Sequence, residues 1–183
     1  MKRRRGSANE ASRLAKRAGQ ATLVLIKPDA IQRGLTGHVL ARLDEARLSM
    51  IGAKIVRVTR ALAEEHYDAL RDKPFFPDLI RHLCGELHGV DHVLAFVYAG
   101  PGAIAKVRQL AGATNPEAAE PASIRGAFGR MTTGGIMENV LHASSDEQEA
   151  VREIALWFRP EELLRPVPFL TSGAVGRSPK GTR

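Results

Sequence analysis

The stretch "NVLHASSDE", residues 139–147, sets His142 between an apolar, strand-like run and the start of a helix, with Asn139 three residues before it and Ser144 two after. A histidine at a strand end can pack or cap, but it can also serve as a nitrogen nucleophile, because imidazole titrates near neutrality. Other polar residues stand where elements end: Lys27 just past the apolar run "ATLVLI", Arg108 on the helix after "HVLAFVYA", Thr114 and Asn115 in a loop, and Arg125 in "SIRGAFG". Two arginines supply planar forks for pairs of phosphate oxygens, a lysine supplies a point charge, and threonine and asparagine add neutral donors. Together with His142 they spell phosphoryl transfer through a phosphohistidine.

Competing constellations are weaker. "GPGAIA" follows a strand and opens a helix like a dinucleotide-binding turn, but the acidic residue that motif needs about twenty positions on is replaced by the loop "EAAEPAS". No Gly-Lys-Ser/Thr occurs, so there is no Walker loop. His82, Cys84, His88 and His92 imitate a zinc set without the paired spacing that structural zinc favours. His38 and His66 read as surface or helix-end residues.

The elements that must position these groups follow from the apolar spacing. "ATLVLI" (21–26) reads as a buried strand closed by "KPD", since proline cannot continue a central ladder. "TGHVLARLDEARL" reads as a helix capped at Thr36, with Val39, Leu40, Leu43 and Ala46 on one face. "AKIVRVT" is a second strand; "LAEEHYDALRDK" and "PDLIRHLCG" are helices. "HVLAFVYA" is a third strand, followed by a helix with Pro101 in its first turn. Residues 113 to about 135 read as irregular, and a loop of that length in a compact domain is usually functional. "IMENVLH" reads as a fourth strand, and "SSDEQEAVREIALWF" as a helix opened by a capping box at Ser144 and Glu147. Four strands with interspersed helices predict an α+β sandwich with mostly antiparallel pairing.

Composition bounds the function class. A chain of 183 residues, 44% hydrophobic and 26% charged, suits one soluble domain. Its longest apolar run is too short to span a bilayer, and no apolar segment follows the basic start in the manner of a secretory signal. Cys84 has no cysteine partner, which suits a reducing compartment, so a cytoplasmic location is expected. The net charge of +7 resolves into +6 over residues 1–17, +3 over residues 159–183, and about −2 between them. The basicity therefore belongs to two tails, which read as solvated extensions; the first could bind polyanions weakly through phosphate contacts.

At this point the blocks "TLVLIKPDAIQRGLTGHVL", "EEHYDALRDKPFF", "GATNPEAAEPASIRGAFG" and "NVLHASSDEQEAVREIALWFRPEEL" resemble the nucleoside diphosphate kinase family, in register over residues 21–164. The resemblance implies a ferredoxin-like βαββαβ sandwich whose four-stranded antiparallel sheet is covered by helices. It divides the chain into a basic extension (1–20), the kinase-like domain (21–164) and a C-terminal tail (165–183). It matches His142 to the histidine phosphorylated on its pros nitrogen, and Lys27, Arg108, Thr114 and Arg125 to phosphate ligands. It matches Asn139 and Lys27 to ribose contacts and Phe75 to the ring on which the base stacks. Tyr67 matches the tyrosine beside the histidine, and Ser144 and Glu153 its hydrogen-bond partners. The implied reaction is ping-pong transfer of a γ-phosphoryl group from a nucleoside triphosphate such as ATP to a nucleoside diphosphate. Mg²⁺ would be held mainly by the phosphates, and the assembly would be a homotetramer or homohexamer.

Three departures from the family pattern stand out. Ala143 and Ser145 replace the Gly and Asp of the usual His-Gly-Ser-Asp. The chain is about five residues longer around "GELHGV" and about four longer between Arg125 and Asn139, where "GRMTTGGIME" borders the nucleotide cleft. None touches a residue matched to phosphate chemistry. The alternative reading is a catalytically silent nucleotide- or nucleic-acid-binding protein on the same fold, against which the intact His142, Lys27, Arg108 and Arg125 argue.

Overall fold

The computed structural model describes residues 19–167. In chain order the elements are β1 (Gln20–Ile26), α1 (Pro28–Gln32), α2 (Thr36–Asp44), β2 (Ser49–Arg57), α3 (Arg60–His66), α4 (Phe76–Leu83), β3 (His92–Gly100) and α5 (Ala103–Ala111). They continue with α6 (Ile124–Phe128), β4 (Arg130–Met131), β5 (Met137–Glu138), β6 (Leu141–Ala143) and α7 (Glu147–Trp157). Four strands form one antiparallel sheet in the order β2–β3–β1–β6, the ferredoxin-like arrangement.

Side chains alternate across a strand, so successive residues of β1 enter opposite cores. Leu23 and Leu25 pack with Ile80, Leu83, Ile154 and Trp157; Val24 and Ile26 pack with Val39, Leu43, Val107 and Ile124. Helices thus cover both faces, which explains why β1 reads as an unbroken apolar run. Burying each such aliphatic side chain contributes about 1.5–3 kcal/mol. The outer edge is β2, where Ile55 remains 70% exposed. Among the described residues no helix is long and apolar enough to cross a membrane.

Several local expectations need correction. The expected fourth strand is split: Met137–Glu138 pairs with Arg130–Met131 in a separate hairpin, and only Leu141–Ala143 joins the main sheet. The break is Val140, held at φ +70°, where Leu141 N–H donates to the Asn139 carbonyl at 2.7 Å in a tight turn. Asp146, not Ser144, caps α7 by accepting from Glu149 N–H, because Ser144 is buried and engaged elsewhere. Leu35 precedes α2, and Thr36 is its first residue rather than its side-chain cap. Helix α3 stops at His66, and a short 3₁₀ turn at Asp68–Leu70 replaces its expected continuation. Pro101 lies in the turn ahead of α5, whose cap is Gly102 at φ +64°. The expected irregular stretch contains α6, capped by Ser123. The two basic tails lie outside the described residues, apart from their inner ends. There Gln20 pairs with Gly100, and Val167 packs into the core.

Candidate active site

Strand β6 carries His142 opposite Leu25 of β1, at the end of the sheet where β1 runs into Lys27. The His142 side chain keeps 18% of its surface open, toward a cavity of about 800 Å³. Lys27, Tyr67, Phe75, Arg108, Thr114, Arg125, Asn139 and Glu153 line the same cavity, so these expected site residues converge. A more open depression between α3 and α7 is walled by ion-paired surface groups such as Glu149 and Arg152 and holds no nucleophile of its own.

Two supports fix the histidine. Its Nε2 lies 2.8 Å from Glu153 Oε1, although off the line an ideal N–H bond would take, so the contact is largely electrostatic. Glu153 Oε2 accepts from Ser144 Oγ at 2.6 Å, and Ser144 Oγ in turn accepts from Leu23 N–H at 3.1 Å. The chain of contacts ties α7 to β1 through the residue two positions past the nucleophile. With Nε2 turned to Glu153, Nδ1 is the nitrogen left for the cavity. Burial, reinforced by the charges of Lys27 and Arg125, holds the imidazole well below its ordinary titration range. The ring is therefore neutral near pH 7, with a lone pair free to attack. Burial pushes the Glu153 carboxyl up, against the opposing influence of His66 and Ser144.

The cationic wall is built from both ends of the chain. Lys27 Nζ donates to Asn139 Oδ1 at 2.7 Å, and Asn139 Nδ2 donates to the Thr114 carbonyl at 3.1 Å. Burial, opposed by Asp29 and reinforced by Arg125, lowers the Lys27 ammonium to about 8. Arg125 donates through Nη1 to the Gly112 carbonyl at 2.8 Å and through Nη2 to the Leu141 carbonyl at 3.0 Å. Burial and the neighbouring charge of Arg108 bring its guanidinium down to about 10. Arg108 itself is exposed on α5, and Phe75 is 52% exposed on the cavity wall. Lys27, Arg108 and Arg125 leave a concentrated positive field in a part of the chain that is nearly charge-neutral overall.

Sequence reasoning missed four groups. Asp29 is buried beneath the site: Oδ2 accepts from Val140 N–H at 2.9 Å, and Oδ1 faces His82 Nε2 at 3.0 Å. Burial alone would raise this carboxyl, but the His82 bond, the His82 and Lys27 charges and the Val140 N–H together hold it below its ordinary value. His82 is thus the partner of Asp29, and Asp29 is what holds the strained Val140 turn. The second correction is His66, which is no surface residue: it is 2% exposed, with its ring centroid 4.4 Å from that of His142. Arg152 clamps the end of α3 by donating to the Glu65 and His66 carbonyls. The only hint of His66 and Asp29 in the sequence was adjacency, to Tyr67 and to Lys27. Among the described residues, the group of histidine, cysteine and acidic side chains close enough to hold a metal is His66, His142 and Glu153, so His82, Cys84, His88 and His92 do not converge as a zinc set.

A neutral histidine at the floor of a cation-lined cavity, on a ferredoxin-like sheet, defines a nucleotide-dependent phosphotransferase. The family model described as nucleoside diphosphate kinase matches residues 20–163. A nucleoside diphosphate kinase from Thermus thermophilus is 47% identical over 145 residues, spanning 79% of this chain and 99% of its own. Among solved structures, the Borrelia burgdorferi nucleoside diphosphate kinase with bound vanadate and ADP, a transition-state mimic, is 36% identical with a TM-score of 0.71, covering 81% of this chain and 92% of its own. The Halobacterium salinarum enzyme in complex with CDP is 39% identical with a TM-score of 0.72, covering 81% and 93%. The chain belongs to the nucleoside diphosphate kinase family, and it is an enzyme of that activity.

Proposed function

We propose that His142 Nδ1 carries the phosphoryl group between nucleotides in a ping-pong cycle. The observation that carries this reading is the orientation of the ring, with Nε2 against Glu153 and Nδ1 left for a cavity that also holds Lys27, Arg108 and Arg125. In the first half-reaction the Nδ1 lone pair attacks the γ-phosphorus, the bond from phosphorus to the bridging oxygen breaks, and its electron pair leaves with the nucleoside diphosphate. The Nε2 proton stays on the ring, and the Glu153 carboxylate offsets the imidazolium charge that develops. The second half-reaction reverses these events onto another diphosphate. Positioning and charge neutralisation supply most of the acceleration in such transfers.

Each neighbour has a role that follows from its chemistry. Lys27, Arg108, Thr114 and Arg125 bind phosphate oxygens; Asn139 and Lys27 reach the ribose; Phe75 offers a ring face to any base, which makes the site tolerant of base identity. Tyr67 borders the histidine, and burial raises its hydroxyl far above the physiological range, so it acts as a hydrogen-bonding group rather than a base. The carboxylates on the cavity wall are already engaged, Asp78 with Arg81, Glu149 with Arg152 and Glu153 with Ser144, so Mg²⁺ would be held mainly by the nucleotide's phosphates. The bound ion would neutralise phosphate charge. An intact mass measured after brief exposure to ATP and Mg²⁺ should show one added phosphoryl group per chain, and an unmodified chain would refute the reading.

We further infer a homo-oligomer, supported by the outer strand β2, which has no second strand partner among the described residues, and by its exposed Ile55 and Met50. A cytoplasmic setting fits the single unpaired cysteine. The catalytically silent alternative is disfavoured by the open Nδ1 and the intact cationic wall.

A further inference from the structure

His66 has no part in the scheme above, yet it is buried against the nucleophile. Its Nδ1 accepts a hydrogen bond from Trp157 Nε1–H at 3.2 Å. An indole nitrogen can only donate, so His66 Nδ1 carries a lone pair and the proton of the neutral ring sits on Nε2. That Nε2 is buried with no hydrogen-bond partner among the described residues. The His66 ring stands nearly perpendicular to that of His142, at 79°, and the Tyr67 ring does the same at 84° with centroids 6.2 Å apart. The nucleophile is therefore walled by two aromatic rings while Glu153 holds its Nε2.

We propose that His66, keyed in one tautomer by Trp157, is a positioning residue that stops the His142 ring from swinging and so restricts phosphorylation to Nδ1. The inference rests on His142 being the phosphorylated residue. It also decides against the obvious competing use of this cluster. One nitrogen from each histidine and one Glu153 oxygen lie within 4.8 Å of one another, a ligand set that zinc accepts. Ligation through His66 Nε2 would move its proton to Nδ1 and set it against the Trp157 N–H, donor facing donor. Trp157 thus makes His66 a wall and not a ligand. Burial and the neighbouring His142 hold its titration well below the ordinary imidazole range, which keeps the ring neutral.

The site of the phosphoryl group on the imidazole tests this, because a merely structural role would leave it unchanged. Wild type, His66→Asn and Trp157→Phe are phosphorylated with ATP and Mg²⁺, denatured in alkali, and read by ³¹P and ¹⁵N NMR for the Nδ1 and Nε2 adducts. His66→Asn keeps an acceptor for the Trp157 N–H but removes the ring. Wild type should give the Nδ1 adduct alone. His66→Asn should give a mixture, with kcat lowered by at least about tenfold and nucleotide KM nearly unchanged. Trp157→Phe, which leaves the ring but frees its tautomer, should fall between the two. An Nδ1 adduct alone and wild-type kcat in both folded variants would overturn the proposal, as would Zn²⁺ binding to wild type that His66→Asn abolishes. If His66→Asn does not fold, the Trp157→Phe adduct ratio decides. A wild type with no phosphohistidine would refute the role of His142 itself rather than that of His66.

Discussion

Lys27 Nζ donates to Asn139 Oδ1 at 2.7 Å, so the cation at the end of the first strand is oriented by a residue 112 positions later, just ahead of the nucleophile's strand. Burial strips Lys27 of hydration and, with the Arg125 charge and against that of Asp29, brings its ammonium down to about 8. Below that value Lys27 is charged, as its proposed role as a phosphate ligand requires; above it the charge is lost while the arginines persist. We expect kcat/KM for nucleotide to fall on the alkaline side with an apparent pKa near 8 in the free enzyme. Lys27→Met should lose that limb along with at least about tenfold of kcat/KM. A wild-type profile flat up to the ordinary lysine range would show that Lys27 is not the titrating phosphate ligand.

His142→Ala should abolish transfer while leaving the circular dichroism spectrum and cooperative unfolding intact, since both cores lie to the sides of this residue. The wild-type adduct should be acid-labile and alkali-stable, as a phosphoramidate is. A stable adduct on Ser144 or Ser145 would move the nucleophile.

Arg108 and Arg125 line one cavity but differ in what else they hold. Arg108→Lys keeps charge and loses the planar fork, so kcat/KM should fall by at least about tenfold, roughly 1.4 kcal/mol, with unfolding unchanged. Arg125→Lys should show a similar kinetic loss together with reduced stability, because Gly112 and Leu141 each lose a charged donor. Full activity in either variant would remove that arginine from phosphate binding.

Asp29→Asn replaces a carboxylate that accepts from two donors with a group that must turn an NH₂ toward one of them. The unmet bond should cost about 2 kcal/mol, a fall in Tm of roughly 4–8 °C. Kcat should fall as well, because the Val140 turn that Asp29 restrains sits two residues before His142. Unchanged thermal unfolding would show that His82 and Val140 find other partners.

Deleting residues 1–18 removes the +6 of residues 1–17 and leaves every described residue in the chain. Turnover should be nearly unchanged, and any salt-sensitive affinity for polyanions should drop sharply. A tenfold loss of turnover, about 1.4 kcal/mol of barrier, would place the arm in the active assembly.

The sheet and the polar residues that line the cavity were legible because their signals are local. An apolar run closed by proline marks β1, and Lys27, Arg125, Asn139 and His142 announce themselves by charge and by motif. What was hidden depends on the third dimension. Val140 is β-branched and apolar, so it reads as strand interior, and only a buried carboxylate from the other end of the chain keeps its backbone left-handed. Asp29 read as part of a strand terminator, and His66 as the end of an ordinary helix, because nothing nearby in sequence names Val140 or Trp157 as partner. Ser144 was read both as a helix cap and, through the resemblance, as a support of the histidine; the cap falls to Asp146, while Ser144 reaches the histidine through Glu153. A serine just before an acidic helix start looks like a cap, and its burial under Glu153 is a tertiary fact.

Strand β6 meets β1 at only three paired positions, and the Ser144 bond beside them closes a separation of 121 residues. On a ribosome, β1, β2 and β3 emerge and can pair long before Ser144 and Glu153 exist to seat the histidine. Such a long closure carries an entropic cost that grows slowly with chain length but must be met before the contact rewards it. A nascent chain would thus hold most of its sheet while having no phosphorylatable site. Chains stalled at increasing lengths should acquire labelling by nucleoside triphosphate abruptly, once α7 clears the exit tunnel. Gradual labelling of shorter chains would mean that β6 docks without its helix.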